Sequence, residues 1–378
     1  MKRVLFEASP MVNSSKTGIG YYVDRLVYAI SQRRNNDLSL SGYYFNFFGR
    51  SRVEPPDYPG ITYLRIWLLP SKLLSLFRRM RTQPPLSMFV RHEADTVLFT
   101  NYVSLPTPRK TRVVLVVYDL GFLDHPQYVQ PVNLAYLRTF CPKSIERADA
   151  IVTISEFTKQ RVQHHFPNLN TPIVVTPIPP AAASQASPAE AMPDRLRQLG
   201  ITPGKFFLFL GTIEPRKNLE NLVSAYAALP ASIRGEYALV LAGGRGWMDE
   251  EINTAINSQI AAGANIIRTG YISDTEKSVL YGSATCLVMP SHYEGFGMPI
   301  LEAMQHNAAT CLSDIPVFRE VAQDAALYFD KDSPAAIAKS METLATDHNM
   351  RTELIEKGRQ RLSAFSWQEN ADKVIDLL

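Results

Sequence analysis

The sequence is poor in the features that mark several protein classes. Of its 378 residues only three are cysteine, Cys141, Cys286 and Cys311. They are far apart and odd in number. They offer neither a disulfide framework nor a metal-ligand spacing, and they read as buried small hydrophobes in a reducing cytosol. No apolar run reaches the roughly 18 residues that a membrane-spanning helix needs. Met1-Lys2-Arg3 leads directly into a strand-like run, Val4 to Ala8, so no secretory leader is expected and the cytoplasm is the expected location. Hydrophobic residues make up 46% and charged residues 20%, which excludes a disordered chain and leaves apolar material for two or three domains.

Charge of one sign is unevenly spread. Residues 1–180 hold 22 Lys and Arg against 12 Asp and Glu, a net of +10, while the whole chain carries only +3. The basic half suits nucleic acid, an anionic membrane or a phosphate-bearing substrate. The sign changes at Pro177 to Pro188, an uncharged run rich in Pro, Ala and Ser that reads as a linker. The expected boundaries are a first domain over 1–178, a linker over 179–193, a second domain over 194–365, and a C-terminal helix over 366–378 packing back on the first domain.

Both halves alternate short apolar runs with amphipathic segments. Arg3 to Ala8, Val97 to Asn101, Val113 to Tyr118 and Ala150 to Ser155 read as buried strands in the first half. Phe206 to Leu210, Tyr237 to Ala242, Ile266 to Thr269 and Thr285 to Met289 do so in the second. Helical spacing covers Tyr21 to Ser31, Leu219 to Leu229, Thr275 to Gly282, Pro299 to Met304 and Pro334 to Thr346. The pattern predicts two doubly wound, Rossmann-like α/β domains facing a cleft, with ligands beyond the carboxyl ends of the strands.

Two constellations follow predicted strands. Gly211-Thr212-Ile213-Glu214-Pro215-Arg216-Lys217-Asn218 places two cations on a loop, suited to a diphosphate, with Asn218 as the N-cap of the next helix. A solvated Arg-Lys pair in a turn fits the local sequence equally. Pro290 to Met304 contains Glu294, Gly295, Gly297, Pro299 and Glu302. Glycines let backbone N–H groups approach a ligand, and Pro299 at the first helical position puts Glu302 in the first turn. The plainer reading is a dipole-complementing Glu302 and a solvated Glu294.

Together these residues resemble the retaining family 4 glycosyltransferases, which have the GT-B fold. Glu294-Gly295-Phe296-Gly297-Met298-Pro299 and Glu302 match that family's paired-glutamate phrase, and Gly211 to Asn218 match its Gly-x-x-x-Pro-Arg-Lys-Asn phrase. Leu239 to Gly244, Gly270 to Ser273 and Ser313 to Val321 also resemble family phrases. The likeness is strong from about 205 to 370. It implies that Arg216 and Lys217 bind the donor diphosphate and Glu302 the ribose hydroxyls. It implies that Glu294, with the backbone of Phe296 and Gly297, contacts the transferred sugar. Met298 and its helix start support the phosphates, and Tyr271 and Ile272 lie along the base. In the first half Thr17-Gly18-Ile19-Gly20 resembles the family's glycine loop closing on the donor phosphates, and Thr153 to Thr158 another family phrase.

There are two departures. Tyr118-Asp119 stands where relatives carry His-Asp, which leaves Tyr118 and Asp119 as the catalytic candidates there. Thr212 stands where many relatives have an arginine. His125, before Pro126, reads as structural. The resemblance implies a hexosyltransferase, of mannose or rhamnose type. Its donor is a nucleotide-sugar, a GDP-sugar favoured, and its acceptor a glycan or lipid-linked hydroxyl in surface polysaccharide synthesis. No cofactor, metal or nucleic acid is implied. The rival readings are a UDP-sugar donor, a GT-B-like epimerase or phosphorylase, and a non-catalytic nucleotide-sugar or polyanion binder. Ile61 to Met80 interleaves Leu, Trp and Phe with Arg and Lys. It fits peripheral docking on an anionic membrane as well as it fits an amphipathic core helix.

Overall fold

Continuous aliphatic runs become strands covered on both faces, as Val113 to Val117 illustrates. In a computed structural model, residues 1–12, 17–33, 37–46, 54–67, 82–90, 93–180 and 192–378 are described. Among them the first sheet contains β1 (Lys2–Glu7), β2 (Leu38–Phe45), β3 (Ile61–Ile66), β4 (Thr96–Phe99), β5 (Arg112–Val117), β6 (Ala150–Thr153) and β7 (Ile173–Val175). The second contains β8 (Phe206–Leu210), β9 (Ala238–Ala242), β10 (Ile266–Gly270), β11 (Cys286–Met289), β12 (Ala309–Ser313) and β13 (Leu327–Phe329). The orders are β3-β2-β1-β4-β5-β6-β7 and β10-β9-β8-β11-β12-β13, and every pairing is parallel. Each sheet therefore reverses its order once, between β1 and β4 and between β8 and β11. Those reversals are where open α/β sheets bind ligands.

Burial drives both sheets. Phe206, Phe207, Leu208 and Phe209 of β8 are wholly buried, and each such side chain contributes about 2–3 kcal/mol by leaving water. All three cysteines are buried and unpaired.

The chain divides into two units, Met1–Ile178 with Ser366–Leu378, and Pro179–Phe365. The C-terminal helix Trp367–Ile375 is capped by the Ser366 hydroxyl, which accepts the Glu369 N–H at 3.3 Å. In the first unit Trp367 packs against Tyr21 and Tyr22. Asn370 donates to the Pro177 carbonyl at 2.6 Å. Arg112 and Thr96 donate to the carbonyls of Leu377 and Leu378 at 2.8 and 2.7 Å.

Two expectations change. Ile61 to Ile66 is not part of an amphipathic helix: it forms β3, paired with Leu40 to Phe45, because Ile61 and Ile66 are buried against the sheet. Trp67 remains exposed beneath the Arg65 guanidinium, 3.7 Å from the ring centroid, and the rest of the basic segment, 68–81, lies outside the described residues. The linker expected over 179–193 falls mostly on 181–191, also outside them. The first helix begins at Gly18, so Gly18 and Gly20 lie in its opening turn rather than in a loop before it. None of the described helices is long and apolar enough to cross a membrane.

A chain ending at Phe365 strips acceptors from Thr96 and Arg112 and uncovers Tyr22. The first unit is expected to lose roughly 3 kcal/mol or more, read as an earlier transition in urea; an unchanged transition would show that the C-terminal helix adds no stability.

Candidate active site

The reversal between β8 and β11 sets the loops 211–218 and 290–297 side by side. The first is fastened to the loop after β9. Gly211 N–H donates to the Ala242 carbonyl at 2.9 Å, Ile213 N–H to Gly244 at 3.0 Å, and Gly246 N–H to Ile213 at 3.0 Å. Gly243 has φ +137°, and a Cβ there would lie 2.1 Å from the Gly211 carbonyl oxygen, so only glycine permits this contact. Asn218 adopts φ 55° and precedes the helix Leu219–Ala228. It is not the side-chain cap expected: its amide donates instead to the carbonyls of Pro290 and Lys331 at 2.9 and 2.8 Å. That pins loop 211–218 to loop 290–297, as does His292 N–H donating to the Arg216 carbonyl at 2.9 Å.

Between the loops lies a buried ion cluster. Lys217 Nζ donates to Glu294 Oε1 at 2.6 Å, and Ser291 Oγ donates to the same oxygen at 2.9 Å. Arg216 Nη1 donates to Glu294 Oε2 and, at 2.9 Å, to the Tyr293 carbonyl. Its Nη2 donates to Glu214 Oε1 at 2.5 Å. Glu214, Lys217 and Glu294 are all buried. Burial alone would raise the Glu294 pKa, but the two cations and their hydrogen bonds override it and hold the carboxyl at about 2. Glu294 is thus ionised at neutral pH. It accepts hydrogen bonds and stabilises positive charge, and it has no proton to give.

The helix Met298–Gln305 follows. Gly297, at φ +105°, is its N-cap, and a Cβ there would meet Ile300 and Phe318 at 2.9 Å. Met298 is the first helical residue and partly exposed, and Phe296 is buried edge-on to Phe365. Pro299 is the second residue, so Glu302 falls past the first turn rather than within it. Glu302 is held at both oxygens: Lys277 Nζ donates to Oε1 at 2.9 Å and Tyr281 Oη to Oε2 at 2.9 Å. Burial would lower the Lys277 pKa, but Glu302 and Asp274 raise it. Tyr271, 75% exposed, and Ile272, partly exposed, sit in the turn after β10.

The remaining candidates belong to the first unit. Asp119 accepts from Tyr102 Oη and from the Gly121 N–H, both at 2.8 Å. Gly20 lets the first helix approach Pro10, whose carbonyl oxygen would lie 2.5 Å from a Cβ. Tyr118 does not fit a catalytic role. It is 4% exposed and its hydroxyl donates to the Thr100 carbonyl at 2.8 Å. Burial first, then Tyr22 and Glu7, push its pKa well above the usual phenol value, so it stays neutral and packed.

The structure thus gathers Arg216, Lys217 and Glu294 in one cluster and puts Glu302 on the helix that follows. Sequence reasoning missed Glu214, Ser291, Lys277, Tyr281 and Tyr102. Lys277 and Tyr281 were findable, being four apart on the helix Asp274–Ser283 and so on one face. Glu214 and Ser291 stand two and three positions from the residues they contact, inside the same phrases, whereas Tyr102 meets Asp119 from 17 positions away and left no local signal.

Residues 193–361 match the family described as glycosyl transferases group 1. The chain is 31% identical over 271 residues to O-antigen chain mannosyltransferase B of Escherichia coli, covering 71% of this chain and 70% of that protein. It is 32% identical over 284 residues to the serotype-specific mannosyltransferase WbdA of Escherichia coli, covering 72% of this chain and 34% of that protein, so it spans about a third of that relative's length. Its fold is similar to that of WaaG, a glycosyltransferase involved in lipopolysaccharide biosynthesis, with a TM-score of 0.71, 15% identity and 99% of each chain covered.

Lys217 serves the fold as well as any ligand. Lys217→Ala leaves Glu294 with half its compensation and is expected to destabilise the second unit by about 3 kcal/mol. Adding Glu294→Gln should recover part of that loss in urea titrations, whereas additive losses would mean the pair is not coupled. Because the folded pKa of Glu294 lies below the ordinary 4.5, its contribution is complete above about pH 4.5 and vanishes toward pH 2. The difference in stability between wild type and Glu294→Gln should shrink across that window.

Proposed function

The chain belongs to the group 1 glycosyl transferases, and on that premise we propose that it transfers mannose from GDP-mannose to a hydroxyl of an O-antigen-type glycan with retention of configuration. The observation that carries the chemistry is the Glu294 carboxylate gripped by Lys217, Arg216 and Ser291 at the reversal of the second sheet. The mannosyl part is supported by similarity to the O-antigen chain mannosyltransferase B, and the GDP carrier by the family resemblance.

The second unit is the donor-binding unit and the first binds the acceptor. Arg216 and Lys217 face one place because two carboxylates orient them, which is a pre-organised setting for a diphosphate that gains charge as it leaves. Incoming phosphate oxygens share those cations with Glu294, and the start of the helix Met298–Gln305 adds its dipole. Glu302, fixed by Lys277 and Tyr281, receives the ribose hydroxyls. Glu294 accepts from hydroxyls of the transferred sugar and steadies the positive charge at its anomeric carbon.

Both Glu294 oxygens are engaged by donors, which makes it a poor nucleophile. The acceptor oxygen therefore bonds to the anomeric carbon on the face from which the diphosphate departs. The carbon–oxygen bond to phosphate breaks, and the acceptor's proton passes to the leaving phosphate oxygen. The cations already supply the charge stabilisation that a metal ion gives elsewhere, so transfer is proposed to need none.

Calorimetry with GDP, UDP, ADP and TDP is expected to show preferred binding of GDP, and NMR of the product an α-mannoside from GDP-α-mannose. Preference for UDP would overturn the donor, and a β-product the retention. Activity should survive excess chelator. Glu302→Gln is expected to raise the donor KM about tenfold with little change in kcat, since a hydrogen bond to a charged group is worth roughly 1.5–3 kcal/mol. Glu294→Gln should mainly lower kcat. Equal effects on donor affinity alone would refute that division of roles.

A further inference from the structure

The turn after β10 is held by a residue from far along the chain. Gly270, at φ +66°, ends the strand and leads into Tyr271, Ile272 and Ser273, after which the helix Asp274–Ser283 begins. Ser273 and Glu276 cap that helix reciprocally. The Ser273 hydroxyl accepts the Glu276 N–H at 3.2 Å, and the Ser273 N–H donates to Glu276 Oε2 at 2.8 Å. The other carboxylate oxygen, Oε1, accepts from Arg195 Nη1 at 2.6 Å. Arg195 Nη2 donates to the Tyr271 carbonyl at 3.2 Å and also to the Thr269 carbonyl. One guanidinium thus grips the end of the strand, the turn and the start of the helix.

Arg195 lies 76 positions before Tyr271. It stands on the short helix Asp194–Gln198, which the wholly buried Leu196 seats in the second unit. A partly exposed ion pair such as Arg195 with Glu276 contributes little stability by itself. Three acceptors on one rigid fork do something else: they fix the direction of a turn, which a point charge does not. Burial would raise the Glu276 pKa, but Ser273 and Arg195 hold it below its ordinary value, so the clamp is charged at neutral pH.

What the turn presents is the Tyr271 ring, exposed although Thr269 just before it is buried. A large ring exposed on a fixed backbone is a platform for a flat ligand. The chain itself relates that platform to Glu302. Lys277, one turn into the helix that the turn introduces, donates to Glu302 Oε1 at 2.9 Å. A nucleotide with its ribose on Glu302 has its base within reach of that helix start and of the turn before it.

We propose that Arg195 is a positioning residue for the donor's base, fixing the turn 270–273 so that the Tyr271 ring stands ready to stack on the base. The inference rests on the reading that the second unit binds a nucleotide donor with its ribose on Glu302. Arg195 acts through Tyr271 and the helix cap and touches no substrate. Fixing the turn beforehand removes the ordering cost that stacking on a loose loop carries. The cations Arg216 and Lys217 are held by their own carboxylates, so the effect is confined to the base.

The test uses the full chain and two probes: GDP, and inorganic pyrophosphate, which offers phosphate oxygens without a base. Tyr271→Ala is expected to weaken GDP binding about tenfold by calorimetry, the worth of one base–aromatic stack, and to leave pyrophosphate binding unchanged. Arg195→Ala shows the same pattern, with kcat at saturating donor as in wild type. The double variant is no weaker for GDP than Tyr271→Ala alone, since both changes remove one interaction. Arg195→Lys keeps a charge beside Glu276 without the fork, and loses GDP affinity while its melting temperature stays as in wild type. Losses that multiply in the double variant overturn the assignment, because Arg195 then acts apart from Tyr271. So does an Arg195→Ala that weakens pyrophosphate as much as GDP, which makes the residue merely structural. An Arg195→Ala with unchanged GDP binding, beside a weakened Tyr271→Ala, overturns the role of Arg195 and leaves the donor reading standing. A wild type that binds pyrophosphate as tightly as GDP overturns the nucleotide reading and the positioning role with it.

Discussion

The contact between Lys217 and Glu294 is the constraint on which the second unit's site depends. It joins loops that are 77 positions apart in the chain and adjacent in space, because the strands before them, β8 and β11, are neighbours at the reversal. A buried ion pair gains little over a well-packed apolar one, and leaving one partner alone is strongly unfavourable. The cluster therefore enforces itself. Glu214 and Glu294 each need Arg216, and Glu294 needs Lys217, so the loops settle only where all four charges meet. Gly243 and Asn218 act on the same geometry from the backbone side, one by permitting close approach and the other by bridging two carbonyls.

Environment, not residue type, sets what each glutamate can do. Glu294 sits among cations and is held at about 2, whereas Glu7 sits among phenols and one amide and is lifted to about 7. The first is a permanent anion. The second is poised between acceptor and donor at neutral pH. Two carboxyls at corresponding reversals of two similar sheets thus have different chemistry, and the difference comes from neighbours supplied by other strands.

That origin explains what the sequence could and could not disclose. Strands with continuous apolar character, such as Phe206 to Leu210, were legible because burial on both faces leaves no polar residue in the run. β2 was not, since Leu38 to Phe45 includes Ser39, Ser41 and Gly42. Gly42 is there because Tyr63 and Phe6 would lie within 2.8 Å of a Cβ, a cross-strand fact without a local trace. Arg216, Lys217, Glu294 and Glu302 were legible because they stand in contiguous phrases after strands. Glu302's turn was misjudged by the exact helix start. The packing of Tyr118 was not legible, because a sequence shows that a hydroxyl exists but not that Thr100's carbonyl already takes it.

The charge asymmetry of the chain makes the same point at a larger scale. The basic half, with its net +10, invites a search there for the phosphate site. The paired cations at a strand reversal instead lie in the acidic half, locked to Glu294 and Glu214, while at the reversal in the basic half Glu7 has no cation paired with it among the described residues. Exposed charges are screened over about 8–10 Å of salt solution, whereas buried pairs act at contact distance in a weakly polar interior. What a site binds is therefore decided by the few charges that folding removes from water.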